Sequence, residues 1–89
     1  MLKSSLCQFG ALKGVIYDFE IIGDVLPMHT HSEEDVHITM VTKGAFIARG
    51  NGWEQRIEKG NLIDWQPNQP HEFEALESDS RIVNIVKGV

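Results

Sequence analysis

Short apolar runs broken by turn residues organise this chain, and none of them holds a helical period. A helix needs apolar residues at i, i+3, i+4 and i+7 over about 11 positions, and no window sustains that pattern. The runs are instead rich in Val, Ile, Phe and Trp and bounded by Gly, Asn, Asp, Ser and Pro, which is the signature of strands. The first predicted strand covers Val15 to Ile22 and ends at Gly23-Asp24. A segment from Val25 to His31 follows, then the polar turn Ser32-Glu33-Glu34-Asp35, then a strand from Val36 to Thr42. Ala45 to Arg49 and Trp53 to Ile57 make a hairpin about Gly50-Asn51-Gly52. Leu62 to Gln66, His71 to Leu76 and Arg81 to Val86 complete the set. About eight or nine strands with no intervening helix predict an all-β fold that closes on itself and so protects its edges.

Length changes the picture by its limits. Eighty-nine residues make one domain, expected to span 1–89. So small a core usually gains support from a metal, a disulfide or a partner subunit. Cys7 is the single cysteine, so an internal disulfide is excluded and nothing points to an oxidising compartment. The start of the chain lacks an apolar signal-peptide core, and no run approaches the about 20 apolar residues of a membrane helix. A cytoplasmic location is the expectation. The net charge of −5, with Lys and Arg scattered singly, argues against nucleic acid and membrane surfaces as partners. A small-molecule ligand or a protein partner remains.

The chemistry available lies in four histidines near predicted strand ends. His29 and His31 are two apart on an extended segment, so both leave the same face with Cα atoms about 6.6 Å apart. His37 opens the following strand with the parity of Thr39 and Val41, and His71 opens a later one with the parity of Phe73. Thr39, Val41 and Phe73 are therefore candidate lining residues of any pocket there. Phe46, Trp53 and Trp65 read as core packing, and Met28 and Met40 as packing beside the histidines. No inward Tyr, Lys or Glu can be assigned from strand register as an acid–base group; Tyr17 and Asp64 stay open.

Gly23, five residues, His29, one residue, His31, and a later strand ending at Gly44 resemble the first motif of the cupin superfamily, Gly-x5-His-x-His, three or four residues, Glu, six residues, Gly. Gly60, Pro67 and His71 resemble its second motif, Gly-x5-Pro-x-Gly-x2-His-x3-Asn. The likeness spans Gly23 to His71 and departs from the pattern in several places. Counting three residues on from His31 puts Asp35 at the place of the family's glutamate, and counting six back from Gly44 puts His37 there. The count along the strand fixes register better than the count along a turn. Gln66 replaces the proline, which comes one place late at Pro67. Asn68 stands for the glycine, and Ala75 for the terminal asparagine.

The resemblance implies a single-domain cupin β-barrel, a double-stranded β-helix of jelly-roll type. It implies one divalent transition-metal ion (Fe, Ni, Zn, Mn, Co or Cu) held by His29, His31, His37 and His71, with Asp35 the alternative to His37. An all-imidazole shell leaves the ion's charge uncompensated and favours an anionic small-molecule ligand. The implied activity is a metal-dependent dioxygenase or isomerase of a small organic acid; the alternatives are a non-catalytic binding module or a structural barrel. A homodimer is also expected, because parity leaves Ile38 and Met40 on the outer face.

Overall fold

The computed structural model describes residues 2–10, 12–30, 37–66 and 68–86, with the side chains of Phe9, Leu12, His37 and Val86 outside that description. Nine strands make up its regular structure: β1 Leu2–Phe9, β2 Leu12–Phe19, β3 Val25–His29, β4 His37–Lys43, β5 Ala45–Gly50, β6 Trp53–Glu58, β7 Leu62–Asp64, β8 His71–Ala75 and β9 Ser80–Val86. They form two antiparallel sheets, β1-β2-β9-β4-β7 and β3-β8-β5-β6. Among the described residues no helix is long and apolar enough to cross a membrane.

The largest differences from the sequence expectation lie in the first two strands. An entire strand, β1, precedes the first predicted one and pairs along its full length with β2. Its Leu-Lys-Ser-Ser-Leu-Cys sequence hides it, because an edge strand that overhangs the opposite sheet need not alternate. Leu6, on the face turned toward the other sheet, is 85% exposed. At the far end of β2 the strand stops at Phe19, three residues earlier than expected, and Ile21 and Ile22 stand in solvent at 57% and 61% exposure. The cause is a tight turn. Asp24 N–H donates to the Ile21 carbonyl at 3.0 Å, and the Asp24 carboxylate accepts from Ile21 N–H at 3.1 Å.

Pairing register sorts the first sheet into two faces, since directly opposed residues share a side. One face carries the rows Leu6–Val15–Asn84–Thr39–Ile63 and Ser4–Tyr17–Ile82–Val41. Thr39, Val41, Ile82 and Asn84 are buried, so this is the inner face. The outer face carries Ser5–Ile16–Val83–Met40–Leu62, with Lys3–Asp18–Arg81–Lys43 bordering it.

Between the sheets Phe19 meets Phe46 edge-on at 4.8 Å, and Phe46 meets Phe73 edge-on at 6.4 Å. Ala48, Ile57, Ala75 and Trp65 fill the rest of the core. Edge-to-face packing of this kind adds about 0.5–1.5 kcal/mol per pair beyond burial of area.

Candidate functional site

The β3–β8 pairing sets His29 directly opposite His71. Their rings meet edge-on with centroids 4.4 Å apart. Each ring is anchored in the same way, by the backbone carbonyl two residues before it. His29 Nδ1 lies 2.7 Å from the Pro27 carbonyl oxygen, and His71 Nδ1 lies 2.8 Å from that of Gln69. A carbonyl only accepts, so Nδ1 carries the proton in both rings, and in the neutral imidazole the Nε2 lone pair is the donor to an ion. Such an anchor fixes both tautomer and ring direction, as it does for metal-ligating histidines.

His71 is held more firmly still. It is fully buried, and the Trp65 indole stacks on it at 4.0 Å with the planes 8° apart. Trp65 is itself tied down: its indole N–H donates to Thr39 Oγ1 at 2.9 Å, and the Thr39 hydroxyl donates to Asn84 Oδ1 at 2.7 Å. Trp53 leans on Trp65 with ring centroids 5.8 Å apart, and lies so close over Gly50 that a Cβ there would collide with its indole. A chain of contacts thus runs from the first sheet, through Asn84, Thr39 and Trp65, to the His71 ring.

Local sequence explains how the ring is brought there. β7 ends at Asp64, two residues before the expected strand end, and Trp65 drops into the core. The following turn closes through Gln69 N–H to the Gln66 carbonyl at 3.2 Å and Gln66 N–H to the Gln69 side chain at 3.0 Å. Asn68 takes φ 59° within it, the left-handed angle that the missing glycine would have supplied. The turn delivers the Gln69 carbonyl to His71.

Of the four histidines expected to gather, the structure brings His29 and His71 together. His31 and the alternative ligand Asp35 lie outside the described residues, as do Glu33, Glu34 and Pro67. For His37 only the backbone is described: it starts β4, opposite Val86 and two residues before Thr39. Among the described residues, no group of three or more His, Cys, Asp or Glu side chains is placed to hold a metal. The candidate lining residues are all buried. Thr39 and Val41 face inward from β4, and Phe73 meets His71 at 5.9 Å. Asp64 is exposed, and Tyr17 is half-buried against the core.

The residue that sequence reasoning undervalued is Trp65. Read as core, it is core, but it is also the wall against which His71 is set. A tryptophan two residues before a Pro-Asn-Gln-Pro turn that ends in histidine was the available signal.

No protein-family model matches the chain, and no curated protein matches it either. Solved structures do. The chain is similar to KdgF from a Halomonas species, with a TM-score of 0.83 and 26% identity over 96% of this chain and 78% of that one. It is similar to an RmlC-like cupin from Desulfovibrio desulfuricans, with a TM-score of 0.82 and 22% identity over 99% of this chain and 84% of that one. A predicted oxalate decarboxylase from Thermotoga maritima matches with a TM-score of 0.73 and 16% identity, over 82% of this chain and 63% of that one. The architecture is therefore the cupin double-stranded β-helix.

Proposed function

We propose that this cupin-fold chain, acting as one domain over residues 1–89, binds a single divalent transition-metal ion at the histidine end of the barrel. His29 and His71 would hold it, with His31 and His37 completing the set. The ion's identity among Fe, Ni, Zn, Mn, Co and Cu is left to the test. The observation that carries the reading is the matched pair: two adjacent imidazoles, each with Nδ1–H committed to a carbonyl and Nε2 as the donor. Borderline-soft nitrogen donors suit these ions and disfavour Mg and Ca. A fully buried ring braced by a stacked indole suits a ligand whose direction must not drift.

The ligand class follows from charge. Neutral imidazoles leave the ion's charge in place, so an anionic oxygen donor, such as a small organic acid or an enolate, is favoured beside it. A bound ion of this kind polarises such an oxygen, which is the chemistry that dioxygenases and isomerases of small acids need. The chain's own residues supply orientation through the Nδ1 anchors, and exclusion of water through Trp65 and Phe73.

Elemental analysis of protein purified without a nickel column tests the reading. The expected result is close to one transition-metal ion per chain, lost from His29→Ala and from His71→Ala. Protein that carries no metal and takes up none of added Fe, Ni or Zn overturns it.

A further inference from the structure

We propose that Lys13 is the anion-recognising residue of an acid-binding subsite beside the histidines, and that its ligands are small dicarboxylates. The proposal deepens the function above and rests on it for the second end of the ligand.

Register carries the placement. The row that follows Leu6–Val15–Asn84–Thr39 on the first sheet is Gln8–Lys13–Val86–His37, running across β1, β2, β9 and β4. Its members sit two residues on from Leu6 and Asn84, or two before Val15 and Thr39, and so keep the parity of the inner face. Lys13 thus belongs to the row that holds the His37 backbone, at the end of the barrel where His29 and His71 meet. With strands about 4.8 Å apart, two steps from β2 to β4 separate Lys13 from the His37 position by roughly 10 Å.

Charge singles the residue out. Apart from His37, the inner-face rows are otherwise built from Leu, Val, Ile, Phe, Ser, Thr, Tyr, Asn and Gln, and among the described residues Lys13 is the one Lys, Arg, Asp or Glu they carry. The other described cations lie elsewhere: Lys3, Lys43 and Arg81 are on the opposite face of the first sheet, with Asp18 of their row paired to Arg81, while Arg56 of β6 pairs with Glu58 and Lys59 stands in the turn after β6. Arg49 is taken up by Glu72 and Glu74.

Space is also present. A cavity of about 420 Å³ is lined by Leu6, Gln8 and Lys13 together with Cys7 and Gly14. Leu6 offers an apolar wall, the Gln8 amide a polar one, and the Lys13 ammonium, on its flexible four-carbon stem, a point charge that can meet a carboxylate. An acid with one carboxylate at Lys13 and a second oxygen group toward the histidines spans several carbons. This excludes a two-carbon acid from using both ends.

The test is calorimetric titration of nickel-loaded and metal-free protein with succinate, adipate and acetate, for wild type, Lys13→Gln and Lys13→Arg, with metal content measured on each sample. Lys13 is exposed, so its variants should melt with wild type. We expect wild type to bind at least one dicarboxylate more tightly than acetate, and Lys13→Gln to lose about tenfold in that affinity, the weight of one charge-assisted hydrogen bond. Lys13→Arg should keep most of it. Raising salt from about 50 to about 500 mM should weaken wild type and leave Lys13→Gln little changed. Equal dicarboxylate affinity in wild type and Lys13→Gln, or no dicarboxylate binding by wild type, overturns the proposal. The metal count is read separately. A loaded protein indifferent to Lys13 removes only this subsite, and a metal-refusing protein with Lys13-dependent binding removes only the metal.

Discussion

Thr39 shows how much one side chain decides here. Its hydroxyl takes the Trp65 N–H and gives its own proton to Asn84, all out of water. Replacing it with valine keeps the shape and leaves the indole N–H and the Asn84 oxygen without that partner. Loss of about 1–3 kcal/mol is expected, read from urea unfolding midpoints at unchanged m-value. The same variant should bind metal more weakly than wild type, because the indole that braces His71 loses its tether. The histidines set a pH dependence of known sign. Protons compete with a metal ion for the imidazole nitrogen, so metal affinity should fall from pH 7 to pH 5. An affinity flat across that range would speak against imidazole ligands. Both outcomes turn on single side chains, and of these the sequence motif points to the histidines. Its silence about Thr39 and Asn84 is equally instructive: the two are 45 residues apart, and no local pattern encodes such a bond.

Two turns place the site at the level of elements. Asn68 holds a left-handed angle in the turn that delivers the Gln69 carbonyl to His71. Asn68→Gly should be neutral or slightly stabilising, whereas Asn68→Val should cost about 1–2 kcal/mol and loosen the histidine anchor. Thermal melts of the two variants check this, and equal melting temperatures would remove the turn from the argument. Gly50 acts by close approach. A side chain there would displace Trp53 from its place against Trp65, so Gly50→Ala should destabilise the β5–β6 hairpin and change the tryptophan fluorescence. Glycine-rich punctuation announced that hairpin in the sequence. What it did not announce was β1, whose eight residues are recognisable as a strand only once β2 is seen beside them.

The outer face of the first sheet matters most for the whole molecule. Ile16, Val83, Met40 and Leu62 form one row, and Ile85 and Ile38 lie side by side in the next. Leu62 is 65% exposed, and the other members are half-buried rather than covered. An apolar stripe across four adjacent strands extends the two-residue stripe that parity alone predicts, and a second copy of the chain is the occupant we expect. Light scattering at micromolar concentration should give twice the chain mass, and Met40→Lys should shift it toward the monomer. A monomeric wild type would show that solvent covers this face.

The sequence by itself determined the strand alternation, the turn glycines, and the histidine spacing that resembles a cupin. These are local properties, fixed by the two-residue period of extended chain and by the few residues that accept left-handed angles. Tertiary structure alone decided that His29 and His71 are cross-strand neighbours, that Trp65 leaves its strand to stack on His71, and that Lys13 shares a row with His37. Each of those depends on which strands pair and in what register. Register is chosen by burial of the whole inner face at once, because a slip of one residue would turn Phe19, Val41 and Ile82 out into water.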